Sequence, residues 1–490
     1  MSSRGFVAAG HPLTAEAGAR VLRDGGNAVD AAIAAMLTSW TAEPLLTGPG
    51  AGGYLLIAGA GEEPVLLDFF VEAPGRGADP ATRCDLLPCE VFFGDVPQVF
   101  HVGAASCGAY GNPAGICEAS RRWGRVPLAQ LAAPAAELAR RGVTVNAAQA
   151  YVFQILETIL RSSPESTALF APGGRLLAEG DVFRSEAMGD AIERLGAEGE
   201  RPFYEGDVAA AVVDFLSARG GTLTREDLAA YRPVAREPVR TRYRGRDVLT
   251  NPPPNAGGIL LALALQRLAR SGGPPSLTEI VDAMEAVQAH RTPEFTNGLA
   301  DPEYVERFVT SHLGNTTHIS VMDGEGRAAS VTCTNGEGSG VVVPGVGIHV
   351  NNIMGEEDLS PAGFHLAAPG TRMPSMMAPT VVLRDGEVEL TVGSAGSNRI
   401  RSAILQVVVG VVDHGLPATE AVEAPRVHFE GGIVYAEPGV PVDELQGREV
   451  FLFRDLNLFF GGAQAIERDP ATGALSGAGD PRRGGAAVEA

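Results

Sequence analysis

The chain has 490 residues, 45% of them hydrophobic and 20% charged, a balance that suits a globular protein with a large core and argues against disorder. Its formal net charge of -21 disfavours nucleic acid and anionic membrane surfaces, which are gripped by clustered Lys and Arg. All 38 basic residues are Arg, which excludes chemistry that needs a lysine, whether a Schiff base to pyridoxal phosphate or a phosphate-loop grip on ATP.

The five cysteines (Cys84, Cys89, Cys107, Cys117, Cys333) follow neither a paired metal-ligand spacing nor a disulfide framework, so no metal and no other cofactor is expected. No apolar run reaches about 18 residues, and the N-terminal stretch Met1 to Pro12 lacks a continuous hydrophobic segment. These features predict a soluble, cytoplasmic protein.

Apolar periodicity from about Leu13 to Ser39, broken by Asp24-Gly-Gly-Asn-Ala-Val-Asp30, predicts two helices, the Gly pair ending the first and the Asn capping the second. The Gly-rich stretch Thr47 to Gly53 leads into strand-like Tyr54-Leu-Leu-Ile57 and Val65-Leu-Leu-Asp-Phe-Phe70. Without a following helix or any Lys it reads as a place of close packing rather than a phosphate cradle. Helical periodicity dominates from about Leu128 to Ser217. Thr224-Arg-Glu-Asp227 has the form of a capping box, and Pro252-Pro-Pro-Asn-Ala-Gly-Gly258 separates a strand from another helix. Strands return at Thr316 to Val343, Thr380 to Leu383 and Val388 to Val392, followed by a helix over Ser402 to Val412. Grouped strands with flanking helices, without regular βαβ alternation, predict an α+β protein with a layered α/β/β/α architecture in one domain without linkers or repeats.

Thr316 to Asp323 and Ala328 to Thr334 alternate as two strands about a turn centred on Glu325. Paired positions then sum to about 650 in residue number, which sets Thr316 opposite Thr334, His318 opposite Thr332 and Ser320 opposite Ser330. One face carries hydroxyls and an imidazole, while Ile319, Val321, Ala329, Val331 and Cys333 form the face that packs into the core. By itself a Thr-rich strand is an ordinary β-strand. A threonine at a chain start is different, because its own α-amine, with a pKa of about 7.7 to 8.0, can take the hydroxyl proton. An internal threonine gains that amine only if the bond before it is cut, which its hydroxyl can achieve by attacking the Asn315 carbonyl.

The segment from Thr316-Thr-His-Ile-Ser320 through Gly338-Ser-Gly340 and Gly347-Ile-His-Val-Asn-Asn352 resembles the start of the small subunit of γ-glutamyltranspeptidases. The likeness extends through Gly25 to Ala32, Gly48 to Gly53, Phe203-Tyr-Glu-Gly206, Leu223 to Tyr231, Pro252 to Gly258, Ala378-Pro-Thr380, Gly393-Ser-Ala-Gly-Ser-Asn-Arg399 and Gly479 to Gly485. The resemblance implies the N-terminal-nucleophile hydrolase fold, a four-layer α/β/β/α sandwich. It also implies cleavage between Asn315 and Thr316 into a large segment 1–315 and a small segment 316–490, intertwined as one domain. Thr316 would be the nucleophile, Thr334 the hydroxyl that positions it, and the Gly396 and Ser397 amides the oxyanion hole. The partners would be a small-molecule substrate and the chain's own cleaved fragment, as a heterodimer or a dimer of heterodimers. His318 reads as a structural histidine, since the α-amine already supplies a base.

The substrate pocket departs from the family pattern. Members that act on glutathione hold its α-carboxylate with an Arg in a D-F-R-E-T-A-P segment, and here Asp68-Phe-Phe-Val-Glu-Ala-Pro74 puts Phe70 in that place. Ile353 follows Asn351-Asn352 where a polar partner is expected, with Glu356 as a stand-in for the second, and Ser375-Met376 replaces a serine pair. Asn335 is a further candidate for substrate contact. The leading expectation is therefore a Thr-nucleophile hydrolase or acyltransferase with a non-standard substrate. Four alternatives stay open: a true γ-glutamyltransferase or glutathione hydrolase using Arg76, Arg399 or Arg401; a carbon-carbon bond hydrolase releasing an oxalyl-type unit in 4-alkylproline antibiotic biosynthesis; a cephalosporin acylase or oxamate amidohydrolase; and an uncleaved binding protein.

Overall fold

The computed structural model describes residues 4–78, 85–93, 96–289, 316–360 and 363–490. Cys84 and Asn315 lie outside them. Two antiparallel sheets stack face to face. The first runs in the order Ala486–Glu489, Gly5–Ala9, Thr317–Asp323, Arg327–Thr334, Gly52–Gly59, Glu62–Phe69, Val234–Arg236. The second runs Leu475–Gly479, Gly462–Arg468, Glu387–Ala395, Thr380–Arg384, Arg246–Thr250, Val239–Tyr243. Helices Pro12–Arg23, Ala28–Ala42 and Asn112–Trp123 cover the outer face of the first sheet, and Ala256–Leu268, Arg399–Val412 and Ala418–Glu423 cover that of the second. The result is the four-layer α/β/β/α arrangement expected from the sequence.

Local signals account for the elements near the site. Asn27 caps Ala28–Ala42 and forms a capping box with Asp30, as the Gly-Gly-Asn break predicts. Thr224 and Asp227 form the second predicted box. The hairpin register is the one read from the sequence: His318 faces Thr332, Ser320 faces Ser330, and the ladder reaches Thr317 and Cys333. Its turn is closed by the Gly326 N–H donating to the Asp323 carbonyl at 3.1 Å, with Gly326 at φ 83°. Asp323 also accepts from the Ala28 N–H at 3.0 Å, which ties the hairpin tip to the start of the second helix.

Both faces of this hairpin are buried. Ile319, Val321, Ala329, Val331 and Cys333 pack against the helices, as expected. The hydroxyl and imidazole face is enclosed as well, because the second sheet lies on it. That burial is tolerable only because the polar groups satisfy one another. Ser320 Oγ donates to the Gln464 carbonyl at 3.0 Å, so it accepts from His318 Nε2–H at 3.0 Å, and His318 Nδ1 accepts from Thr332 Oγ1 at 2.8 Å. Burial pushes His318 down to a pKa of about 3, so the ring is neutral, which fits a structural role. The opposing strand makes room for the imidazole with Gly393, whose Cβ, if present, would overlap the ring. Gly393→Ala is therefore expected to destabilise the protein by about 1–3 kcal/mol, read as a lower urea midpoint.

Candidate active site

Thr316 sits at the entry to strand Thr317–Asp323 in the interior of the first sheet, buried at 2% exposure. Beside it lies a cavity of about 250 Å³ whose wall includes Thr316, Thr334, Ser397, Phe70, Ile353, Glu356, Ser375 and Met376. Residues far apart in the chain are thus brought to one place. Leu359, Met377 and Ile400 complete the wall and were not anticipated from sequence, though Met377 and Ile400 directly follow predicted segments. Asn335 is not part of this wall: its side-chain amide donates to the His349 carbonyl at 3.3 Å and its backbone N–H to the Leu46 carbonyl at 3.0 Å.

Each wall residue is held by its element. Thr334 Oγ1 accepts from the Gly336 N–H at 2.9 Å. Phe70 follows strand Glu62–Phe69, stacks on Tyr54 with ring centroids 5.5 Å apart, and has its carbonyl held by the Tyr231 hydroxyl at 2.7 Å and by Arg372. Ile353 opens a short helical turn fastened by Asn351, whose amide donates to the Gly50 carbonyl at 2.8 Å and the Gly108 carbonyl at 3.1 Å. The Pro-Pro-Pro-Asn-Ala-Gly-Gly segment also finds its purpose here. The Ala256 and Gly257 N–H groups at the start of helix Ala256–Leu268 donate to the Ser375 carbonyl, and Asn251 and Asn255 both donate to the Met377 carbonyl, at 3.0 and 2.9 Å. Gly257 is needed because a Cβ there would strike the Met376 backbone.

Gly396 and Ser397 join strand Glu387–Ala395 to helix Arg399–Val412, with φ of 106° and 64°. Both angles lie in the left-handed region that non-glycine residues avoid, so the turn is strained at Ser397. Ser397 Oγ is buried and lacks a hydrogen-bond partner among the described residues. The N-terminal end of a 14-residue helix therefore points its positive dipole toward the cavity wall.

None of the arginines considered as a carboxylate clamp lines this cavity. Arg76 pairs with Glu72 at 3.4 Å and Asp227 at 3.6 Å, Arg399 donates to the Phe459 carbonyl and lies 4.6 Å over its ring, and Arg401 faces a different cavity beside His428.

Glu43 was missed in the sequence, where nothing but its place at the end of helix Ala28–Ala42 marks it. Its carboxyl accepts from the hydroxyls of Thr317 at 2.7 Å and Thr14 at 3.1 Å. Burial pushes it up to about 7, with those hydroxyls and Arg483 holding it down. It lines a second cavity, of about 430 Å³, shared with His11 and Arg483.

With this geometry in view, the comparisons decide the family. A family model described as gamma-glutamyltranspeptidase matches residues 14–490. The chain belongs to the gamma-glutamyltranspeptidase family. Within that family it is 32% identical to the acylase ACY 1 proenzyme of Pseudomonas sp. (strain SE83), over 90% of this chain and 85% of that one. It is 30% identical to the glutathione hydrolase proenzyme of Bacillus subtilis (strain 168), over 99% of this chain and 91% of that one. Among solved structures, the cephalosporin acylase from Bacillus halodurans superposes with a TM-score of 0.82 at 28% identity, covering 99% of this chain and 96% of that one. The four layers seen here are thus the N-terminal-nucleophile hydrolase fold of gamma-glutamyltranspeptidases and acylases, and the chain is an enzyme of that kind. No helix among the described residues is long and apolar enough to cross a membrane.

Proposed function

We propose that this enzyme cuts its own chain between Asn315 and Thr316 and then acts through Thr316 as an acyl-transferring N-terminal nucleophile on a substrate other than glutathione. The observation that carries this reading is the convergence of Thr316, Thr334 and Ser397 on one cavity. That both relatives above are proenzymes supports self-processing.

In the first half-reaction the freed α-amine of Thr316 takes the hydroxyl proton as Oγ1 attacks the substrate carbonyl. Thr334, with its lone pair engaged by the Gly336 N–H, donates to and orients the nucleophile. The tetrahedral oxyanion is received by the Gly396 and Ser397 N–H groups at the positive end of the helix. Collapse expels the leaving amine, which takes the proton back from the Thr316 ammonium. Water or an acceptor amine then attacks the acyl-threonine by the same steps, which makes the enzyme a hydrolase or a transferase. Segments 1–315 and 316–490 would remain together as a heterodimer.

Intact mass and N-terminal sequencing of purified protein test the proposal. Two fragments, the smaller starting at Thr316, are expected, with Thr316→Ala remaining one chain. A wild-type chain that stays whole refutes it.

A further inference from the structure

Building on the proposed Thr316 site, we infer that its cavity selects an uncharged, apolar acyl chain and discriminates against acyl groups that end in a carboxylate. Beside Thr316, Thr334, Ser375 and Ser397, the wall carries an aromatic ring, two thioethers and aliphatic side chains: Phe70, Met376, Met377, Ile353, Leu359 and Ile400. Such a surface gains by taking methylene groups out of water, and methionine adapts to their shape. Among the described side chains of this wall, the ionisable one is Glu356, which is acidic and so offers a second carboxylate no attraction.

Among the described residues, no arginine lines this cavity. Arg372 lies behind Phe70, not in front of it: its guanidinium donates to the Phe70 carbonyl, to Tyr231 Oη at 2.5 Å and to the Arg232 carbonyl at 2.7 Å, and it pairs with Glu72 at 3.3 Å. Arg483 faces the separate Glu43 cavity. A carboxylate pushed against this wall would lose its water without gaining a charged hydrogen bond in return. The cavity is partly open to solvent, so a short linear acyl chain would enter it with the leaving group outside.

The test uses the processed enzyme, its two fragments verified by mass, and compares kcat/KM for acetyl-, butyryl-, hexanoyl-, glutaryl- and γ-glutamyl-p-nitroanilide. The expected result is a rise of about fourfold per methylene from acetyl toward hexanoyl. Hexanoyl should exceed glutaryl and γ-glutamyl by at least tenfold. Phe70→Arg, which places a guanidinium in the wall, should narrow or reverse that preference. If that variant does not fold, the wild-type series decides alone. Processed enzyme that favours glutaryl or γ-glutamyl, shows no dependence on chain length, or turns over none of the five overturns the inference while leaving self-processing intact. An unprocessed chain sinks the underlying proposal itself, so the two failures are distinguishable.

Discussion

Exchange of Gly396 for alanine is expected to lower kcat by two to three orders of magnitude in processed enzyme, with a much smaller change in KM. At φ 106° a side chain is already strained, and the added Cβ would lie 2.7 Å from Gly461 Cα and 3.3 Å from the Arg483 guanidinium. The Gly461 contact is with backbone, which cannot step aside, so the Gly396–Ser397 turn must shift and carry its N–H groups away from the place the proposed mechanism gives the oxyanion. Removal of one such donor typically costs about 3–4 kcal/mol of transition-state stabilisation, felt in the chemical step rather than in ground-state binding. Steady-state kinetics beside thermal melts checks this. A folded variant with wild-type kcat would show that the oxyanion is held elsewhere.

The second large effect is on stability and concerns acid. His11, His318 and His349 are buried, and loss of water lowers their pKa values to about 4, 3 and 4. A base whose folded pKa is depressed takes up a proton on unfolding, so stability is intact above about 6.5 and drains away as pH falls toward the folded values. Between them the three rings represent on the order of 10 kcal/mol at the acid end. Glu43 opposes them. Its raised pKa of about 7 means stability is gained as pH falls from 7 toward 4.5, but a single group supplies only about 3 kcal/mol. The histidines win, and a domain stable by about 5–15 kcal/mol should unfold near pH 4 to 5. The urea midpoint should therefore fall steeply below about pH 6, and His349→Gln should flatten part of the slope. A level profile between pH 4 and 7 would contradict the burial argument.

How much of this could be read beforehand differs from residue to residue. The pairing of the hairpin followed from alternation and one turn, because a slip by a single residue would have sent Ile319 and Val331 to the wrong face. Phe70, Ile353 and Met376 were found by their departure from a family pattern, and the cavity gathers all three. Asn335 lies off this wall because neighbours in sequence need not face the same way: Thr334 ends a strand, and the next residue turns toward His349. Glu43 was invisible for a different reason. A lone acid after an apolar helix resembles any surface acid, and only tertiary packing against Thr317 removes it from water.

Strand Thr317–Asp323 lies between Gly5–Ala9 and Arg327–Thr334, which in turn pairs with Gly52–Gly59, while Thr380–Arg384 of the second sheet pairs with Arg246–Thr250. A cut at residue 315 would therefore leave the fragments interleaved in the first sheet and joined along one ladder in the second. Such fragments have no surface along which to part: separating them means tearing open the ladders that make each sheet. Dilution should then leave the pair together, and neither half expressed alone should complete either sheet, whereas the two halves produced together should assemble during folding rather than after it.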